Sequence, residues 1–255
     1  MTSIETRRPS PTEYKPPLRG ENLQRYRENL TNISRWIDKT GESVSRKPEN
    51  SWEHTMGVLD IVDHEMSRFP ALSKVLDLNA VRDMIWLHDG PEIIAGDHYM
   101  GSETFTKNYS RQKIRERAGA RILLRGITDP GEKQDLEATF ERYDKCAPDD
   151  AEAQFAHLID KFQGTRFGLE HGGIPSLRDP DLDDLEEKRR KENATLSLTR
   201  IVHFATPLMA LLDSPARDEL QEFTTEEIER FREHGFASEV DVALTNLQTI
   251  ESPAA

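Results

Sequence analysis

Between Gly20 and Thr40 the apolar residues Leu23, Tyr26, Leu30, Ile33 and Ile37 recur at threes and fours, the spacing that lines one face of an α-helix. Pro48 opens a second helical pattern, carried by Trp52, Val58, Leu59, Ile61, Val62 and Met66 as far as Pro70. A third runs from Asn79, read as its N-cap, to Asp89, where Gly90 and Pro91 interrupt it. Further helices are expected over 106–126 and 131–145, and another, capped by Asp149 or Asp150, through "AEAQFAHLIDKFQGTRFGLE". The break "HGGIPS" and a highly charged segment then lead into a long helix ending near Leu212, and two shorter helices close the chain. No run of alternating β-branched residues and no internal repeat is present. The pattern predicts an all-α helical bundle with a C-terminal helical extension. Residues 1–18, with prolines at 9, 11, 16 and 17 and no periodicity, read as a flexible N-terminal arm. The core is expected over 19–172, with 173–255 packed on it as the extension.

Composition narrows the class. Only 35% of the 255 residues are hydrophobic and 32% are charged, which suits a water-soluble, helix-rich protein. The longest apolar run, "IVHFATPLMALL", is too short to span a bilayer, and the first residues lack the apolar core of a signal peptide. A single cysteine, Cys146, excludes an intrachain disulfide and a cysteine-built zinc site. A cytoplasmic location without membrane attachment is therefore expected. Against 34 Lys and Arg stand 47 Asp and Glu, a net charge of −13, which repels polymeric nucleic acid. A small anion such as a nucleotide is less restricted, because a metal and a few cations reverse the sign inside one pocket.

Candidate chemistry concentrates in "WLHDGPEIIAGDH", residues 86–98. His88 shares a helical face with Ala80, Met84 and Leu87 and so points toward the core. Asp89 sits at a helix C-terminus, where a carboxylate is disfavoured by about 0.3–1 kcal/mol unless a cation compensates. Alone, such a pair reads equally as a solvated corner. Two more residues bear on the choice: His54 shares its face with Val58, Ile61 and Val62, and Asp160 lies in line with the small residues Ala153, Ala156 and Gly164. Two histidines and two aspartates from three helices form a ligand set suited to one divalent ion of Mn, Co, Fe, Ni or Zn.

The order His54, then His88-Asp89, then Asp160 resembles the HD-domain metal-dependent phosphohydrolases. The likeness is closest to their 5′-deoxynucleotidase group, through Arg35-Trp36, "KPENSWEH", "HDGPEIIAGD" and "YDKCAPDDAEAQFAHLID". The resemblance implies an HD-domain bundle in which His54, His88, Asp89 and Asp160 hold one divalent metal. It implies that Glu92 orients or deprotonates the attacking water and that Arg35 holds the phosphate. Trp36 and Asp97 would contact the sugar, and Lys107 would add a phosphate contact. The segment "DKTGESVSR" between Arg35-Trp36 and His54 is longer than this group has and reads as a local insertion. Read without the family, Arg35-Trp36 is also a helix-surface packing pair, Asp97 a turn residue and Lys107 a solvated lysine.

These expectations define a nucleoside, or deoxynucleoside, 5′-monophosphate phosphatase, with the long C-terminal helices offering surface for a homodimer. The alternatives are a phosphohydrolase for a modified nucleotide and a non-catalytic nucleotide-binding protein. A di-iron oxygenase would need extra histidines between the pair and Asp160, where only His98 and His157 occur.

Overall fold

The computed structural model describes residues 14–36, 45–95, 105–172 and 184–248, apart from the side chains of 105–112 and 184–186. Among the described residues every regular element is helical, and the sole β-type pairing is an isolated bridge between Ser34 and Asn50. The all-α reading is therefore borne out.

Helix α1 (Gly20–Thr31) ends nine residues before the apolar periodicity does. The chain leaves it to pair backbone with the segment before the next helix: Arg35 N donates to Glu49 O at 2.9 Å and Ser51 N to Ile33 O at 3.0 Å. Those long-range bonds replace the helical ones that the local pattern alone favours, and Ile37 lies outside the described residues. Helix α2 (Ser51–His64) starts after Pro48, at an Asn50 capping box in which Asn50 Oδ1 accepts from Glu53 N and Glu53 Oε2 accepts from Asn50 N. A 3₁₀ turn (Glu65–Arg68) and a short helix α3 (Pro70–Val75) follow; the sequence pattern did not separate α3 from its neighbours. Helix α4 (Leu78–Leu87) is capped by Asp77 rather than Asn79, since Asp77 Oδ1 accepts from the amides of Asn79 and Ala80.

Beyond the short α5 (Glu92–Ala95) lie α6 (Phe105–Arg125), α7 (Pro130–Lys145), capped by Asp129, and α8 (Ala151–His171), capped by Asp150. Helix α8 is the axle of the molecule. Ala153, Phe155, Ala156, Leu158, Ile159 and Phe162 are all fully buried, and α2, α4, α7 and α9 pack around them. A helix covered on all sides in this way carries little amphipathic signal. Residues 14–18, expected within the flexible arm, are tied to the bundle: Tyr14 Oη donates to Asp83 Oδ1 at 2.8 Å and Leu18 is buried. The rest of the expected arm, residues 1–13, lies outside the described residues.

Helix α9 (Asp184–Leu211) contains a stretch, Glu187–Leu211, that is long and apolar enough to cross a bilayer by length and composition. Its buried positions Ala194, Leu198, Ile201, Ala205 and Leu208 alternate at fours and threes, the stripe of a helix packed on a protein core. That stripe meets α8, while α10 (Ser214–Glu233) and α11 (Ala237–Gln248) pack on α9. Phe223 of α10 stacks on Phe69 at 4.8 Å and meets Phe162 edge-on at 5.0 Å, so one continuous core runs from α2 to α11.

A buried ion network joins α8 to this C-terminal segment. Arg166 donates to Glu227, which is fully buried, at 2.6 and 2.9 Å, and to Glu65. Burial works against the Arg166 charge, but the two carboxylates hold its pKa above the usual arginine value. Arg230 also donates to Glu227, at 3.0 Å, but removing Arg166 takes from this fully buried carboxylate the cation that holds both its oxygens, at a cost of about 3 kcal/mol. Arg166→Ala should therefore destabilise by that amount in urea unfolding; a loss below about 1 kcal/mol, the level of a surface ion pair, would contradict this placement of the network.

Candidate metal centre

Three elements converge at one end of the axle. His54 lies on the inner face of α2, fully buried with Val58, Ile61 and Val62. His88 is the C-cap of α4, which ends at Leu87, two residues short of the Asp89 end that the pattern suggested. The corner that follows is fixed by Gly90 N bonding to Leu87 O at 2.9 Å and Glu92 N to Asp89 O at 3.0 Å. Gly90 is needed here for space: a Cβ would stand 2.9 Å from the Tyr26 hydroxyl, which itself donates to Trp86 O at 2.7 Å. Tyr26 of α1 thus clamps the corner that presents the His-Asp pair.

The ligating atoms of His54, His88 and Asp89 lie within 4.8 Å of one another. Asp160 of α8 joins them through the imidazoles, its Oδ1 lying 2.9 Å from His54 Nε2 and 3.9 Å from His88 Nε2. Asp89 reaches the same nitrogens, with Oδ1 3.1 Å from His88 Nε2 and Oδ2 4.0 Å from His54 Nε2. All four side chains predicted as ligands are brought together.

Their hydrogen bonds fix the sense of each ring. His88 Nδ1 donates to Ile85 O at 2.6 Å, and His54 Nδ1 donates to Gln163 Oε1. Both Nε2 atoms are therefore the ones turned toward carboxylate oxygens. His88 Nε2 is buried without a hydrogen-bond partner, and His54 Nε2 lies within hydrogen-bond distance of Asp160 Oδ1, at 2.9 Å. Burial pushes the His88 pKa down, which keeps that ring neutral. Burial raises the Asp160 carboxyl, but Lys161 and the two imidazoles outweigh it and hold Asp160 well below the usual carboxylate range. Imidazole nitrogens and carboxylate oxygens facing one another in a buried pocket fit a divalent cation of the N/O-preferring kind.

Around this centre lie the other expected residues. Glu92 Oε2 accepts from Ser51 Oγ at 2.9 Å, and Arg35 Nη1 donates to Asp89 Oδ2 at 2.9 Å while standing 4.0 Å from Glu92. Trp36 stacks on Phe167 with centroids 5.7 Å apart and its Nε1 donates to Glu49. Asp97 lies outside the described residues; Lys107 falls within α6, but its side chain lies outside them. His157 turns its Nε2 to Tyr143 O at 2.9 Å and stacks between Tyr143 and Phe204; burial lowers its pKa to about 3.

Several participants escaped the sequence reading. Gln163 is one turn beyond Asp160 on the same helical face, a spacing that could have signalled it. Lys161, adjacent in sequence, ion-pairs with Asp160 Oδ2 at 2.6 Å. Glu49 sits inside the quoted "KPENSWEH". The centre opens into a cleft of about 1120 Å³ whose far wall includes Asn193, Arg200, His203 and Phe204 of α9. Nothing in the local pattern of α9 pointed toward a site on α2 and α4.

A helical bundle that holds a buried His/His-Asp/Asp centre defines a class of protein, and comparison with known families agrees. The HD-domain family profile matches residues 28–173, which include all four centre residues. The chain belongs to the HD-domain family. Its fold is similar to that of a predicted metal-dependent phosphohydrolase from Magnetospirillum magnetotacticum MS-1, at 18% identity and a TM-score of 0.50, covering 83% of this chain and 94% of that one. No curated protein matches the chain.

His88→Ala should leave the fold standing and empty the centre. After incubation with Mn or Co and removal of loose metal, elemental analysis is expected to find about one ion per wild-type chain and under a tenth of that in the variant. Equal metal in both would mean that the orphaned nitrogen is not a ligand.

Proposed function

We propose that this chain is a metal-dependent phosphohydrolase, and more narrowly a phosphomonoesterase for nucleoside or deoxynucleoside 5′-monophosphates. The observation that carries the reading is the convergence of an ion-ready His/Asp cluster with one carboxylate, Glu92, and one guanidinium, Arg35, on the same rim. The Magnetospirillum protein, itself described as a predicted metal-dependent phosphohydrolase, supports the broader class. The nucleotide comes from the sequence resemblance and from the size of the cleft.

His54, His88, Asp89 and Asp160 would hold the ion. A divalent ion in such a set lowers the pKa of bound water toward neutrality and draws charge from phosphoryl oxygens. The chain's own groups do the rest. In hydrolysis a water oxygen bonds to phosphorus as the bond from phosphorus to the 5′ oxygen breaks. Glu92, held by Ser51, takes the proton that the water gives up, and that proton ends on the departing 5′ oxygen, which leaves as the nucleoside hydroxyl. Arg35 turns its planar fork to the phosphoryl oxygens and Lys161 adds a second positive charge beside them. The indole of Trp36 covers the sugar. Asp97 as a sugar contact and Lys107 as a phosphate contact follow from the resemblance. Tyr143, Phe204 and His203 offer ring surfaces farther along the cleft for the base.

Metal-loaded protein should release phosphate from a panel of nucleoside 5′-monophosphates. Glu92→Gln should lower kcat by about 10²–10⁴-fold with nucleotide affinity retained. A variant as active as the wild type would remove Glu92 from the proton-transfer role, and a panel of phosphomonoesters left wholly unhydrolysed would end the phosphatase reading in favour of binding or sensing.

A further inference from the structure

We propose that Glu49 is the positioning residue of this centre: its buried carboxylate ties the metal ligand His54 to the pair Arg35-Trp36, so that one side chain sets both the metal side and the anion side. The inference rests on the metal-dependent reading above.

The first arm runs through an amide. Glu49 is 4% exposed, and its Oε1 accepts from Gln163 Nε2 at 2.9 Å. An ionised carboxylate only accepts, so the amide must turn its NH₂ toward Glu49 and its oxygen toward His54. That oxygen accepts from His54 Nδ1. Nδ1 of His54 is thereby fixed as a donor, and Nε2 is the ring atom left facing Asp160 and Asp89. The partner on the far nitrogen is what sets the tautomer, orientation and basicity of a ligating histidine. The amide has a shaped seat. At Gly57 of α2 a Cβ would stand 2.9 Å from Gln163 Nε2 and 3.1 Å from its Cγ, so glycine lets the amide lie against the helix.

The second arm uses the other oxygen. Glu49 Oε2 accepts from Trp36 Nε1 at 2.8 Å and lies 3.7 Å from Arg35 Nε, while Glu49 O accepts from Arg35 N at 2.9 Å. Trp36 has φ of 61°, a left-handed backbone conformation uncommon for a bulky residue, which persists where surroundings hold it. The Glu49 bond and the Phe167 stack are those holds. Glu49 touches neither the ion site nor the cleft directly; it acts through its neighbours.

The test uses the full chain and two probes, Co(II) followed by calorimetry and d–d absorption, and inorganic phosphate titrated onto the cobalt-loaded protein. Gln163→Leu cuts only the first arm and should weaken cobalt binding about 10–100-fold. Glu49→Gln keeps the shape but cannot accept on both sides, and should weaken cobalt and phosphate binding together, each by about tenfold or more, with helical circular dichroism unchanged. Trp36→Phe keeps the stack and should leave cobalt affinity unchanged. Wild-type affinities in Glu49→Gln, or unchanged cobalt affinity in Gln163→Leu, overturn the proposal. If Glu49→Gln loses its helical signal, the Gln163→Leu result decides. A wild-type chain that takes up no cobalt overturns this proposal and the metal reading together. One that loads normally while both variants load equally overturns this proposal alone.

Discussion

Two imidazole nitrogens and two carboxylates held out of water at the crossing of α2, α4 and α8 form the constraint on which the rest of the molecule depends. Like-signed acceptors do not stay together in a low-dielectric pocket unless a cation or shared protons bridge them. The helices therefore have to be rigid where they meet. Each is anchored just before the centre: Asn50 caps α2 four residues before His54, Tyr26 locks the corner after α4, and α8 is packed on every side around Asp160.

The surrounding shell explains how such a centre works in so acidic a chain. The chain carries a net charge of −13, but beside the ligands stand Arg35 and Lys161, each paired to a ligand carboxylate. Adding a divalent ion would compete with those pairings for Asp89 and Asp160. The guanidinium and ammonium that now neutralise the carboxylates would then be the nearest partners for an incoming phosphate. Local neutralisation inside a pocket, rather than the field of the whole protein, governs which anion is accepted.

The family segment, residues 28–173, supplies the centre, while the cleft above it is completed from outside that segment by α9. Rings link the two: His88 meets Tyr143 at 5.9 Å, Tyr143 stacks on His157 at 3.9 Å, and His157 stacks on Phe204 of α9 at 4.9 Å. The centre and the far wall of the cleft thus come from different parts of the chain. Changes in α9 can reshape the cleft without touching the four centre residues.

How much of this was legible in the sequence follows the range of each interaction. The all-α architecture and the inward faces of His54, His88 and Asp160 come from periodicity, which is local, and the ordered His, His-Asp, Asp pattern picks out four side chains that the fold brings together. Tertiary structure decided what local pattern cannot carry. It stopped α1 at Thr31, because backbone pairing of Ile33 and Arg35 with residues 49–51 outweighed the continuing apolar spacing. It moved the cap of α4 to Asp77, brought Glu49 and Gln163, 114 positions apart, into one hydrogen bond, and folded α9 back over a site formed by much earlier helices. Side-chain type and spacing determine which groups face inward. Which of them meet depends on long-range packing, because a contact between distant segments leaves no periodic trace in either one.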